Sequence, residues 1–364
     1  MQIICIQFCF YNKVDLDMMK SLKIISSLAI SLYFSISFSH AKDTIYLISS
    51  SSAYDESYIP KITKAFQNKG FDVNTQYLNQ QLSDFGYVNT DHERAKNLIH
   101  ALKNDQVKYL WFVRGGSGAL NLLPKLHAEI RQIKHSTPKV LIGFSDVTAI
   151  HYFINNEIGW KSIHGTTAAT GKIMNAPIAN SMDIELPSST EKNILNPDEN
   201  QNDVVNEIFS TMQNGVHYQG LLPLNRTAKQ HFYEGTLTGG NLTLVQTLFS
   251  TQYERSWDNK ILLLEDISVT YKQLDRLLHQ ILFKKDFHPK AIVFGQFYPS
   301  KTNDGERLIY KEVIRTFAEQ SNIPVYYYPY FGHGKVNKPF ILGGKAHIAC
   351  PQDSDYCSIF QEKL

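Results

Sequence analysis

Short apolar segments alternate with amphipathic ones from residue 44 onward, and this alternation permits few folds. Thr44–Ser49, Phe71–Tyr77, Val107–Val113 and Lys139–Gly143 have the pattern of strands, and helical periodicity fills the stretches between them. Strands that alternate with helices form βαβ units, whose parallel sheets have right-handed crossovers. The first half of the chain is therefore predicted to be an α/β domain with a parallel sheet.

A polar stretch separates this half from a second one. Pro187–Asp203 is rich in Asn, Ser, Glu and Pro, which predicts a surface loop or linker. The chain has 364 residues, more than a single core normally holds, so two domains are expected. We predict a flavodoxin-like parallel-sheet α/β domain over residues 42–180, a linker or insert over 181–232, and a smaller C-terminal β/α domain over 233–364.

The first 41 residues do not belong to that pattern. Lys20 and Lys23 precede an apolar run, Ile24–Phe38, which is followed by Ser39 and Ala41 with one residue between them. This order is typical of a cleavable secretory signal peptide, and the run is shorter than the roughly 20 residues that a membrane span needs. We predict cleavage after Ala41 and a periplasmic mature protein without a membrane segment.

Cysteine content and charge balance narrow the class of protein further. Cys350 and Cys357 are the cysteines of the predicted mature chain, and their spacing does not match a zinc site. In an oxidising compartment we expect them to form a local disulfide. The 36 basic and 34 acidic residues nearly balance, so nucleic acid is not an expected partner.

Two of the loops that follow predicted strands carry residues suited to acyl-transfer chemistry. Ligands bind beyond the carboxyl ends of strands in open α/β sheets. Arg114–Gly118, with the sequence RGGSG, offers backbone amides to an oxyanion, although a plain tight turn has the same composition. Ser145 in GFSDV resembles a nucleophile elbow, but Val147 replaces its second glycine, and a helix N-cap explains Ser145 equally well.

Two further loops carry a carboxylate pair and a histidine. Glu265 and Asp266 directly follow an apolar strand, where they would serve as acid, orienting group or metal ligand; for Asp266 we favour capping of the next helix. His333 lies between two glycines in FGHGK, where a solvated histidine is the alternative. Serine, histidine, carboxylate and amides together are the groups of a serine hydrolase.

These motifs, taken in order, resemble a known family. RGGSG, GFSDVTAIH, GTLTGGNL, LLLEDI with YKQLDR, and FGHG are similar to motifs of the LD-carboxypeptidases, serine peptidase family S66, over about residues 45–348. The resemblance implies two lobes, a Ser-Glu-His triad without metal or cofactor, and a homodimer. It also implies release of the terminal D-alanine from the muropeptide L-Ala-γ-D-Glu-diaminopimelate-D-Ala.

The resemblance assigns roles to individual residues. Ser145 would be the nucleophile, Glu265 the orienting carboxylate and His333 the general base. The other implied site residues lie in the oxyanion and substrate-binding loops, with amides at Gly116 and Asp146, the neighbouring Gly115, and Arg114 or Lys335 as the cation for the substrate carboxylate.

Three positions depart from the family pattern. Ser117 stands where the oxyanion loop usually has an aromatic residue, Thr166 replaces the proline of His-Gly-Pro, and Val269 replaces a second glutamate. Two alternatives are open. One is a periplasmic two-lobed binding protein, because a secreted two-lobed α/β chain of this size also suits ligand capture between lobes, although it would not need both Ser145 and His333. The other is a peptidase of the same family that detoxifies peptide antibiotics.

Overall fold

Two sheets organise the part of the chain that the computed structural model describes, namely residues 42–174, 203–230, 232–298, 304–334 and 336–364. The predicted signal peptide, most of the predicted polar linker and Lys335 lie outside these ranges. The strands are β1 (Thr44–Ile48), β2 (Asp72–Tyr77), β3 (Tyr109–Phe112), β4 (Val140–Gly143), β5 (Ser162–His164), β6 (Val216–Pro223), β7 (Tyr233–Asn241), β8 (Lys260–Ile267), β9 (Ala291–Tyr298), β10 (Val325–Tyr327), β11 (Phe340–Leu342), β12 (Lys345–Ala349) and β13 (Cys357–Gln361).

Helices connect these strands. They are α1 (Tyr58–Asn68), α2 (Asp91–Lys103), α3 (Leu123–Ala128), α4 (Ile130–His135), α5 (Thr148–Phe153), α6 (Gly171–Met174), α7 (Val204–Asn214), α8 (Leu242–Thr247), α9 (Tyr271–Phe283) and α10 (Asp304–Gln320). Several begin at residues whose side chains accept a hydrogen bond from the first turn. Thr90 accepts from the amide of Glu93 before α2, and Thr270 and Gln273 form a reciprocal capping box at α9.

The first sheet has the strand order β11-β5-β4-β3-β1-β2, with β1 to β5 parallel and β11 antiparallel to β5. Every side chain of β3 is buried. Alternate residues of a strand face opposite sides of its sheet, so Leu110 and Phe112 enter one apolar cluster while Tyr109 and Trp111 enter another. Both faces are covered, which confirms the predicted parallel α/β domain.

The second sheet closes on itself as a barrel in the order β10-β6-β13-β12-β7-β8-β9. Strands β7 to β10 pair in parallel, whereas β6, β12 and β13 make antiparallel pairs. Apolar side chains from all sides, among them Leu237, Leu263 and Ile348, form its core. The chain therefore has the predicted two-domain α/β architecture, and the second sheet is a closed barrel.

The structure divides the chain differently from the predicted boundaries. Helix α7 and strand β6 lie within residues 181–232, the segment predicted as a linker, and β6 pairs with β10 and β13. Exposed and buried positions alternate irregularly along β6, so its sequence lacks a clear strand pattern. Strand β11 comes from the predicted C-terminal domain but belongs to the first sheet.

Two other predictions concern the covalent structure and the membrane. Cys350 and Cys357 form the predicted local disulfide, which joins the neighbouring strands β12 and β13. Across the described ranges, no helix is both long enough and apolar enough to span a membrane.

Candidate active site

Ser145 lies immediately after β4, at the start of a short 3₁₀ turn formed by Ser145–Val147. Its φ of 63° is in the left-handed region, which a residue other than glycine adopts uncommonly. The N-cap of this turn is Phe144, so the capping interpretation of Ser145 is wrong. The Ser145 hydroxyl instead lies 3.0 Å from Nε2 of His333. A strained residue on a sharp strand-to-helix turn is the arrangement of a nucleophile elbow.

His333 and Glu265 continue this chain of hydrogen bonds. Nδ1 of His333 lies 2.6 Å from Oε2 of Glu265, whose side chain is fully buried near the end of β8. Because Nε2 of the same ring faces Ser145, the imidazole bridges the hydroxyl and the carboxylate. Serine, histidine and carboxylate in this order form the hydrogen-bonded arrangement of a serine hydrolase triad.

Burial and neighbouring charges shift the pKa of His333 in opposite directions. Burial alone lowers its pKa, but the charge and hydrogen bond of Glu265, with the charge of Asp266, outweigh that effect. The pKa of His333 therefore lies above the ordinary value of 6.5. Burial also raises the pKa of Glu265, and His333 offsets this rise only in part. The imidazole thus becomes a neutral base at a higher pH than an exposed histidine would.

The RGGSG loop packs directly against the nucleophile. A Cβ atom on Gly115 would lie 3.1 Å from the Cβ of Ser145, so a larger residue there would crowd the serine. Gly116 has a φ of 109°, and a Cβ there would lie 2.3 Å from Oγ of Ser52. The structure therefore brings the predicted oxyanion loop beside Ser145.

The other predicted binding residues have different surroundings. The Arg114 side chain is exposed and donates to the carbonyl of Ala53. Asp146 follows the nucleophile, and its carboxylate is 3% exposed and accepts from the amide of Ala119 at 2.9 Å. Lys335 lies outside the described residues.

Asp266 does not cap the helix that follows it, and that part of the prediction is wrong. Its carboxylate accepts from the Asn241 side chain at 2.7 Å and from the amide and hydroxyl of Thr243 at 2.9 and 2.7 Å. These partners lie at the start of α8. Since β7 and β8 are adjacent parallel strands, the end of β8 lies beside the residues that follow β7. The next helix, α9, has Thr270 as its N-cap.

Gln296 is a site residue that the sequence analysis missed. It is 3% exposed, and its side-chain oxygen accepts from the amide of Gly334 at 2.5 Å. Its side-chain nitrogen donates to the carbonyls of Pro329 and Val336 at 2.6 and 3.2 Å. Gln296 thus holds the loop of His333 from both sides. A buried amide in the otherwise apolar strand β9 was the available signal.

The three departures from the family pattern occupy different environments. Ser117 is exposed, and its amide donates to Oγ of Ser52 at 3.0 Å. The carbonyl of Thr166 accepts from the indole of Trp111 at 2.8 Å. Val269 is 7% exposed and belongs to the apolar core, so no second carboxylate stands at that point beside Glu265.

Within the ranges that the structure describes, no three or more His, Cys, Asp or Glu side chains are grouped so that they could hold a metal ion.

Comparison with known proteins matches both halves of the chain. Residues 45–165 match the model of the LD-carboxypeptidase N-terminal domain, and residues 234–348 match that of the LD-carboxypeptidase C-terminal domain. The murein tetrapeptide carboxypeptidase of Pseudomonas aeruginosa is 28% identical over 262 residues, which is 71% of this chain and 77% of that protein.

Solved structures share the fold. The muramoyltetrapeptide carboxypeptidase from Oxalobacter formigenes superposes with a TM-score of 0.67 at 21% identity, over 88% of this chain and 99% of that one. An MccF-like protein from Bacillus anthracis gives a TM-score of 0.69 at 20% identity, over 89% and 97%. At such identities these two likenesses concern the fold.

Proposed function

The chain belongs to the LD-carboxypeptidase family, and we propose that it releases the terminal D-alanine from peptidoglycan tetrapeptides through an acyl-enzyme on Ser145. The substrate would be L-Ala-γ-D-Glu-diaminopimelate-D-Ala. The similarity to the Pseudomonas aeruginosa murein tetrapeptide carboxypeptidase supports this substrate class. The continuous hydrogen-bonded order of Ser145, His333 and Glu265 is the observation that carries the proposal.

In this mechanism the Ser145 hydroxyl attacks the carbonyl carbon of the L-centre of diaminopimelate. Nε2 of His333 takes the hydroxyl proton, and Glu265 holds the ring in the tautomer that leaves Nε2 free to accept it. The amides of Gly116 and Asp146 stabilise the negative charge on the carbonyl oxygen, an effect of roughly 3–4 kcal/mol for one donor.

His333 then donates its proton to the nitrogen of D-alanine, and the peptide bond between diaminopimelate and D-alanine breaks. A water molecule, deprotonated by His333, hydrolyses the ester on Ser145 and regenerates the enzyme. Arg114 is an exposed cation on the loop beside the nucleophile, which suits it to bind the carboxylate of the substrate's D-alanine.

We also propose that the protein acts outside the cytoplasm. The signal-peptide pattern that precedes residue 42, the disulfide between Cys350 and Cys357, and a substrate that is part of the cell wall all favour the periplasm. N-terminal sequencing of the protein from a periplasmic extract should begin at Lys42. A cytosolic product that retains the segment from Lys20 to Ala41 would contradict this location.

The central test uses the mature chain and a disaccharide tetrapeptide. Release of free D-alanine, detected by mass spectrometry, is expected from the wild type and from Ser210→Ala, which removes an exposed hydroxyl on α7. Ser145→Ala should release none, and EDTA should have no effect.

The same assay separates the alternatives. Tight retention of the muropeptide without any turnover would support a binding protein instead. Turnover of a peptide-nucleotide antibiotic but not of the tetrapeptide would support the detoxifying peptidase. The implied homodimer is checked separately by sedimentation of the mature chain.

A further inference from the structure

One peptide group at the end of the RGGSG loop is held at both of its polar atoms by buried, oppositely charged side chains. The carbonyl oxygen of Gly118 accepts from Nη1 of Arg94 at 2.9 Å. The amide of the next residue, Ala119, donates to Oδ2 of Asp146 at 2.9 Å. Arg94 lies on α2 and Asp146 on the turn that follows β4, and both are nearly inaccessible to solvent.

Arg94 connects this peptide group to the end of β1. Its side chain is fully buried, and Nη1 also donates to the carbonyl of Ser50. Nε donates to the carbonyl of Asn89 at 3.1 Å, and the guanidinium lies 4.6 Å from the ring centre of Tyr87. A guanidinium presents its donors in a rigid plane, so these bonds fix the loop after β1 relative to the loop after β3.

Asp146 connects the same peptide group to the nucleophile elbow. Its backbone follows Ser145 directly, so its amide is one of the two expected oxyanion donors. Its carboxylate reaches back to Ala119, three residues after Gly116, which supplies the other expected donor. The side chain of Asp146 therefore ties together the two loops that carry the two amides.

We propose that the Asp146 carboxylate and the Arg94 guanidinium are positioning groups that hold the two oxyanion amides at the spacing the transition state requires. The inference rests on the proposed function, because it assigns these side chains to the oxyanion hole of that mechanism. An oxyanion donor is effective at 2.7–3.1 Å from the developing charge, so a small displacement of either loop reduces the rate. Neither side chain needs to touch the substrate.

The contribution of the hydrogen bond from Ala119 can be tested separately from that of the negative charge on Asp146. Asp146→Asn keeps an oxygen that accepts this bond, whereas Asp146→Ala removes the acceptor. We expect Asp146→Ala to lower kcat about 10- to 100-fold with KM within about 2-fold, and Asp146→Asn to recover most of this loss. Arg94→Lys, which loses the planar fork, should lower kcat about 10-fold. Asp105→Ala is the matched control, because the exposed Asp105 also accepts from a backbone amide, that of Thr137, which precedes β4 whereas Ser145 follows it.

A second readout follows Ser145 directly and does not depend on the peptide substrate. An alkyl fluorophosphonate forms a bond between phosphorus and Oγ of Ser145, fluoride leaves, and His333 takes the hydroxyl proton. The phosphoryl oxygen then occupies the oxyanion hole, so the rate of labelling should fall by the same factor as kcat. The melting temperatures of the variants, by contrast, should not follow the order of their kcat values and labelling rates.

The results distinguish the inference from the proposed function. Equal kcat and labelling rates in Asp146→Ala and wild type would overturn the inference, as would a loss confined to KM. If Asp146→Ala does not fold, Arg94→Lys must still show parallel losses in kcat and labelling while Asp146→Asn stays close to the wild type; otherwise the inference is wrong. A wild type that is labelled at Ser145 but releases no D-alanine would overturn the proposed substrate alone, and the labelling series would still decide the inference.

Discussion

Ser145 and the two groups that activate it come from sheets of different construction. Ser145 and the RGGSG loop follow strands of the first sheet, where β1 to β5 are all parallel. Glu265 lies on β8 and His333 follows β10, both of which belong to the closed barrel. In the proposed mechanism the first sheet supplies the nucleophile and the amides, whereas the barrel supplies the base and its carboxylate. Neither sheet contains a complete site.

This difference shows which contacts determine the distance between Ser145 and His333. Bonds within each sheet fix its own groups, but the distance of 3.0 Å between Ser145 and His333 depends on how the two sheets meet. One contact between them is short and buried: the amide of Asn241 donates to Oγ1 of Thr148, at the start of α5, at 3.0 Å. A Cβ on Gly240 would lie 2.4 Å from the same oxygen, so glycine is required there.

The largest expected effect tests whether the two sheets act as one unit. Ser145→Ala, in the first sheet, and His333→Ala, beside the barrel, should each lower kcat on the order of 10⁶-fold, and the double variant should be scarcely worse. Release of D-alanine under single-turnover conditions measures this. Multiplicative losses in the double variant would mean that the two sheets contribute independently.

Removing the negative charge of Glu265, the carboxylate that lies on the barrel, should have the next largest effect on kcat. Glu265→Gln keeps the size of the side chain but stabilises the wrong tautomer of His333, so kcat should fall on the order of 10⁴-fold. Steady-state kinetics on the tetrapeptide measures it, with Glu312→Gln on the exposed face of α10 as control. A loss of less than tenfold would show that the barrel contributes the base without needing its carboxylate.

The pH dependence of kcat/KM should reveal how the neighbouring barrel residues shift the pKa of His333. His333 must be neutral to accept the proton from Ser145, and its pKa lies above 6.5 because Glu265 and Asp266 outweigh burial. The value of kcat/KM should therefore rise with pH and be below half of its plateau at pH 6.5. In Glu265→Gln the residual activity should reach half of its plateau at a lower pH. A wild-type midpoint at or below 6.5 would contradict this assignment.

A smaller effect is expected at the contact between the sheets. Thr148→Val preserves the shape of the side chain but removes the acceptor for the Asn241 amide, which should lower kcat a few-fold and destabilise the fold by about 1 kcal/mol. Thr247→Val, which removes an exposed hydroxyl on α8, is the matched control. Unchanged kcat together with lowered stability would mean that this contact does not set the triad distance.

The smallest effect on activity is expected at the disulfide. Replacing both Cys350 and Cys357 by serine should lower the free energy of unfolding by roughly 2–3 kcal/mol, because the bond closes a short loop. Catalysis should be unchanged, since the bond joins β12 and β13 away from Glu265 and His333. Urea unfolding with and without reductant measures the first expectation, and a parallel loss of kcat would contradict the second.

The first sheet was largely predictable because its signals are local. Strands β1, β3 and β4 are short apolar runs, and the alternation of strands with amphipathic helices itself defines the topology. Barrel closure was not predictable in this way. Strands β6, β12 and β13 pair with partners far away in the chain, and their buried and exposed residues do not form long apolar runs.

The candidate site also contains residues that local sequence signals identify and residues that they do not. Ser145, Glu265 and His333 lie in motifs that can be recognised in the sequence, and the structure brings the three side chains together. Gln296 and Arg94 were missed because their main partners are backbone carbonyls and amides, which no sequence motif specifies. Asp266 was assigned to the wrong helix because its partners, Asn241 and Thr243, lie at the end of the neighbouring strand β7 and the start of α8, and not in the helix that follows Asp266.

Strand β11 has a consequence for the order in which the chain folds. It pairs antiparallel to β5 at the edge of the first sheet, and its three residues are fully buried, although they come after His333 in the sequence. While a ribosome is still making the barrel strands, the first sheet has an unpaired edge at β5, which is open to pairing with other chains. The N-terminal half therefore gains the last strand of its sheet only after residues 340–342 have been synthesised.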